Sequence, residues 1–276
     1  MRFRVLDIET VPDLSVWTLG EDQYRLVPGH PLAGTEGMVH EACAIKSEPF
    51  PPPHACRVVA ISTVDIAMDF GNSPRYRFDS ASTACKWHTQ PPLDRECERS
   101  LLDDLSARMA GGDVTLVTWN GRTFDLPVLS MRSFKLGVPF EWYYKDRNMR
   151  YRFSDEGHLD LMDYLNDYGS SRNAKLGDVA RLVGLPGKVG EVSGAGVYDI
   201  YKSTVRELDA RVVEAKQASV ARYCLQDTIQ TALIFLRSRF HLGKIDRVEY
   251  NMCLDTFIQS PVINETIAIE WGNLKL

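Results

Sequence analysis

Apolar and polar positions alternate from the start of the chain. Over residues 2–9, RFRVLDIE, an extended backbone puts Phe3, Val5, Asp7 and Glu9 on one side and Leu6 and Ile8 on the other. A first strand is predicted there, with two carboxylates able to converge. RVVAISTVDIA at 57–67 predicts a second strand and PRYRF at 74–78 a third, with residues 80–92 reading as turn-rich. Leu93, Cys97, Leu101, Leu102, Leu105 and Met109 then recur at helical spacing, and Gly111-Gly112 supplies a stop. VTLVTW at 114–119 returns to strand character before the Asn120-Gly121 turn signal.

FDLPVLSMRSFKLG at 124–137 predicts a helix that accommodates Pro127 in its first turn. Residues 158–169 read as a short strand or turn entering a helix, 173–184 as a compact amphipathic helix, and 185–196 as a loop. The pattern over 204–240 is mostly helical, and so long a run predicts a break. Residues 12–56 hold seven prolines, which restrict the backbone and remove donors, so an irregular insertion is expected there. The pattern over 251–276 is too varied to assign an element, and 246–276 is expected as a peripheral C-terminal extension of a domain spanning 1–245. This order predicts an α/β fold with a mixed central sheet flanked by helices, rather than a barrel or a helical bundle.

Hydrophobic residues make up 44% of the 276, enough for a substantial core, which excludes wholesale disorder. A formal charge of −5 excludes a uniformly basic nucleic-acid-binding surface but says nothing of a local groove. No apolar run is long enough for a membrane span, and the charged start does not read as a secretory signal. The cysteines, Cys43, Cys56, Cys85, Cys97, Cys224 and Cys253, form no CxxC pair; reduced thiols in a cytoplasmic protein are the expectation. His40, Cys43, His54 and Cys56 have loose spacing in a proline-rich segment and read as an ordinary loop rather than a zinc site.

The residues that point to chemistry are four separated acids and a tyrosine. Asp7 and Glu9 alternate on the first strand, Asp125 opens a helix after a turn, and Tyr223 and Asp227 stand four residues apart in a helical pattern, hence on one face. Taken singly, each has a plain explanation: a wet strand face, a helix cap, a buried ring beside an exposed acid. Gathered by a fold, the acids would repel one another unless cations were present, which points to a divalent-metal enzyme acting on an anionic substrate. YYKDRNMRYRF at 143–153 interleaves aromatic and basic residues suited to stacking bases and attracting phosphates, although a packed loop with a charged exterior gives the same pattern.

DIET at 7–10, NGRTFDLPVL at 120–129 and YCLQD at 223–227 resemble the three motifs of the DEDD family of 3′→5′ exonucleases, in its tyrosine-containing branch, and most resemble proteins related to the proofreading exonuclease of B-type DNA polymerases. The resemblance spans roughly residues 1–245, GLPGK at 184–188 included. It implies a ribonuclease-H-like fold, with Asp7, Glu9, Asp125 and Asp227 as the acidic set and Tyr223 as the catalytic tyrosine. It also implies two ions, Mg2+ or Mn2+, with Asp7 bridging them, Glu9 and Asp227 on the nucleophile side, and Asp125 supporting the other. The expected substrate is single-stranded DNA or a DNA 3′ end. An RNA exonuclease, an endonuclease and a noncatalytic nucleic-acid adaptor stand as alternatives, and no protein partner is indicated.

Overall fold

The computed structural model describes residues 1–17, 50–88, 90–111, 113–154, 156–187, 194–205 and 207–276. Most of the 12–56 insertion, with His40 and Cys43, and Lys188 of GLPGK lie outside the described residues. Among the described residues, five strands form one sheet: β1 (Arg2–Pro12), β2 (Cys56–Met68), β3 (Tyr76–Cys85), β4 (Val114–Thr118) and β5 (His158–Asp160), in the order β3-β2-β1-β4-β5. β1 runs antiparallel to β2 and parallel to β4; β2 is antiparallel to β3, and β4 parallel to β5. Only β2 opposes the rest, the strand arrangement of ribonuclease-H-like folds, as the motifs implied.

The alternation along β1 assigns its two faces as expected. Phe3 and Val5 join one buried cluster with Leu225, Ile229 and Phe235, while Leu6 and Ile8 join another with Leu101, Leu105, Leu126 and Leu129. The helices concerned are α1 (Pro91–Met109) and α2 (Asp125–Leu136) on the second face, and α8 (Ala210–His241) on the first. Between them lie α3 (Glu141–Lys145), α4 (Arg147–Arg150), α5 (Leu161–Leu165), α6 (Leu176–Leu182) and α7 (Gly194–Thr204); α9 (Arg247–Ile258) and α10 (Pro261–Thr266) follow α8.

Two local expectations are corrected. The stretch 80–92 was expected to be turns, but β3 runs on to Cys85 because its register against β2, with Ser62 Oγ donating to Thr83 Oγ1 at 2.7 Å, outweighs the turn preference of Asp, Ser and Thr. The loop predicted over 185–196 gives way to α7 from Gly194, and the predicted break in the following helix falls before Ala210, where the Asp209 carboxylate accepts the Arg211 N–H and caps α8. The C-terminal stretch, left without an element over 251–276 from sequence, contains α9 and α10. Tyr250, Cys253, Leu254, Phe257 and Ile263 are buried in the same cluster as Phe3 and Val5.

Candidate active site

β1 delivers the first two acids. Asp7 and Glu9 share the face of Val5, pointing toward α8, and β2 carries a bulge beside them: Glu9 pairs with Ala60 and Thr10 with Val58, leaving Val59 extra. Such a bulge re-aims side chains at the end of a ladder. Asp7 is partly buried and Glu9 buried.

Asp125 arrives by a different route. After β4 the chain turns through Asn120, whose positive φ of 63° suits asparagine, and Gly121, where a Cβ would meet the Thr118 side chain at 2.5 Å. The Asp160 carboxylate, at the end of β5, grips this turn by accepting the Asn120 and Arg122 N–H groups, each at 2.9 Å, and also accepts from Met162 and Asp163 as the cap of α5. Asp125 then opens α2, buried, its carboxylate accepting its own N–H and that of Ile8. Ile8 lies between the two β1 acids and beyond Val5, where the β1–β4 ladder ends, so this bond sets Asp125 directly against the strand.

α8 supplies the rest. Tyr223 is buried and its hydroxyl donates to the partly buried Asp227 one turn on. Cys224 is buried beside them and donates to Asp7 Oδ2 and to the Asp7 carbonyl, both at 3.5 Å. One ligand atom from each of Asp7, Glu9 and Cys224 lies within 4.8 Å of the others.

The electrostatics follow from this crowding. Burial, with Glu9, Asp125 and Asp227 adding repulsion in that order, holds the Asp7 carboxyl well above the usual carboxylate range. Burial and Asp160 push Asp125 up to about 7 despite its two backbone donors. Burial, then Asp227, Glu9 and Asp7, raise Tyr223, so its hydroxyl keeps its proton throughout the physiological range. All five residues singled out in the sequence therefore meet at one place. The donor set fits a hard divalent cation, because added positive charge offsets the burial and the repulsion that together raise Asp7.

Sequence reasoning missed Cys224 and Asp160. Cys224 read as one more reduced thiol, although its position three residues before Asp227 puts it on the same helical face. Asp160 carried a readable signal, an acid just ahead of the helical LMDYL, which marks a cap but not the turn it also holds. Elsewhere, Cys56 is buried and donates to the Pro51 carbonyl at 3.3 Å. Among the described residues no helix is long and apolar enough to cross a membrane.

Comparison with known proteins gives the geometry its context. Among solved structures, the chain is similar to the family B DNA polymerase from the hyperthermophilic archaeon Pyrobaculum calidifontis, with 17% identity and a TM-score of 0.48 over 93% of this chain and 29% of that one. It is also similar to E. coli exonuclease I in complex with a dA16 oligonucleotide, with 12% identity and a TM-score of 0.37 over 78% of this chain and 42% of that one. The chain spans less than half the length of either structure. No curated protein matches it. The model of a family described as predicted 3'-5' exonuclease related to the exonuclease domain of PolB matches residues 48–266, taking in Asp125, Tyr223 and Asp227 but beginning after Asp7 and Glu9. That match covers most of the sequence, and the chain belongs to this family of predicted 3′-5′ exonucleases.

Proposed function

We propose that the chain removes nucleoside 5′-monophosphates from the 3′ end of single-stranded nucleic acid, DNA being the favoured substrate, in a reaction that depends on two Mg2+ or Mn2+ ions. The observation that carries this reading is the convergence of Asp7, Glu9, Asp125, Asp227 and Tyr223 from three separate elements on one end of β1, with the burial and mutual repulsion that lift Asp7. Asp7, Glu9, Asp125 and Asp227 would hold the cations. Bound there, these supply a more acidic water and positive charge at the phosphate oxygens.

The chain's own groups do the positioning. Tyr223 donates a hydrogen bond to Asp227 and keeps its proton, which leaves the phenol oxygen's lone pairs to accept a hydrogen bond from the attacking water and turn that water toward phosphorus. Its raised pKa makes it an orienting group and not a phenolate nucleophile. Water adds to the terminal phosphodiester, the bond from phosphorus to the 3′ oxygen breaks, and that oxygen takes a proton to become the new 3′ hydroxyl. Asp160 keeps Asp125 in register by fixing the preceding turn.

A time course on matched 5′-labelled DNA and RNA, with free and blocked 3′ ends, in Mg2+, Mn2+ or chelator, tests the proposal. Stepwise mononucleotide release from free ends, absent in chelator and in folded Asp7→Ala, is expected. Cuts inside 3′-blocked strands would replace it with an endonuclease, a need for ribose would reverse the DNA preference, and tight binding without metal-dependent hydrolysis would make it an adaptor.

A further inference from the structure

The segment joining α4 to β5 is not consumed by the core. Tyr151 is 51% exposed and Phe153 58% exposed, with Arg152 exposed between them. Their rings stand in file: Tyr151 to Phe153 at 5.9 Å between centroids, and Phe153 to Tyr168 at 4.8 Å. Tyr168 is held there by unusual backbone, since Asp167, Tyr168 and Gly169 all have positive φ, of 53°, 53° and 99°. Two consecutive non-glycine residues in that region are rare and persist only where surrounding bonds demand it. Here the Tyr168 N–H donates to the Asp163 carbonyl and the Gly169 N–H to Asn166 Oδ1.

The charge beside the rings is positive on a chain that is negative as a whole. Residues 143–153 carry Lys145, Arg147, Arg150 and Arg152 against Asp146. Arg147 and Arg150 form no ion pair among the described residues, and Arg150 lies 5.4 Å over the half-exposed Tyr144 ring. Arg152 is paired with Asp163 at 2.6 Å, which fixes the segment. The surface is also tied to the acidic site. Arg122, three residues before Asp125, reaches the Arg150 carbonyl at 3.4 Å and the His158 carbonyl at 3.3 Å, and its Nε is buried without a hydrogen-bond partner.

We propose that Tyr151, Phe153 and Tyr168, flanked by Arg147 and Arg150, form the surface along which a single-stranded polynucleotide lies behind its 3′ end, bases on the rings and phosphates toward the arginines. The proposal rests on the exonuclease reading for its direction, but binding can be measured without turnover. Ring faces accept any unstacked base, and a duplex, whose bases are already stacked, gains nothing from them.

The test is fluorescence anisotropy of 5′-labelled dT20, U20 and a 20-base-pair duplex in chelator, on the intact chain. Wild-type protein is expected to bind both single strands in preference to the duplex, the ratio of dT20 to U20 affinity reporting the sugar. Tyr151→Ala with Phe153→Ala should weaken single-strand binding by roughly tenfold or more, leaving the melting temperature unchanged because neither ring is buried. Tyr151→Phe with Phe153→Tyr should restore it. Arg150→Gln should flatten the dependence of affinity on salt. Unchanged dT20 and U20 affinity in the folded double-alanine variant, or duplex bound as well as single strand, overturns the surface whether or not the protein is a nuclease. Loss of binding in that variant, from a wild type that never hydrolyses strands in Mg2+ or Mn2+, upholds the surface and overturns the exonuclease.

Discussion

Burial and Asp160 raise the Asp125 carboxyl to about 7 although two N–H groups donate to it, so desolvation and repulsion outweigh two hydrogen bonds. The folded state then keeps a proton that the unfolded chain releases from about pH 4 upward, and metal-free protein loses that stability as pH rises from there to about 7. Asparagine carries no such proton. Asp125→Asn in chelator should be more stable than the parent by about 1–3 kcal/mol at pH 8, with the gain vanishing toward pH 4, as read by urea melts at both pH values. Tyr223→Phe makes the opposite trade. It removes one hydroxyl from a buried ring, so kcat should fall about a hundredfold or more with KM nearly unchanged, in single-turnover assays at saturating metal.

Elements carry these residues only as well as their ends are held. The turn from β4 into α2 depends on a bare Gly121 against Thr118 and on Asp160 gripping two N–H groups. Gly121→Ala should therefore cost about 1–3 kcal/mol and lower kcat as well, since the turn that delivers Asp125 has to shift; thermal melts and turnover of the same variant check both. The other end of α2 is tied differently. Arg132, wholly buried, donates twice to Glu98 of α1, at 2.7 and 2.6 Å, and to Asp13 just past β1 at 2.7 Å. Its removal leaves the buried Glu98 without its cation and Asp13 with Lys135 alone, so Arg132→Ala should destabilise by about 3–5 kcal/mol in equilibrium unfolding at pH 7. Hydrogen bonds to Lys135, Ser15 and Arg132 hold Asp13 well below the usual carboxylate range against the opposing effect of burial. Its share of stability is thus present above about pH 4 and lost on acidification below that.

At the scale of the molecule, the sheet is a partition with a core on each face, and the acidic site sits where β1 outruns β4. The C-terminal helices belong to this construction, because Tyr250 and Phe257 fill the same cluster that Phe3 and Phe235 anchor beneath α8. Phe257→Ala should cost about 3–5 kcal/mol, and a chain ending at residue 245 should lose its cooperative thermal transition; retention of that transition would make residues 246–276 a dispensable extension.

Period-two alternation in RFRVLDIE and the helical spacings over 93–109, 124–137 and 204–240 were legible because they depend on neighbours a few residues apart. The acids of the three motifs were picked out by their conjunction and by the resemblance of the motifs to a family, since each taken singly has a plain local explanation. Contacts over long separations decided the rest. Ser62 and Thr83 kept β3 extended where turn residues abound, Asp160 took hold of a turn forty residues earlier, and Cys224 became a neighbour of Asp7. Burial and repulsion depend on distance in space and not along the chain, so the raised Asp7 and Tyr223 exist only once β1, α2 and α8 have met, and the raised Asp125 only once the fold has buried it beside Asp160 at the end of β5.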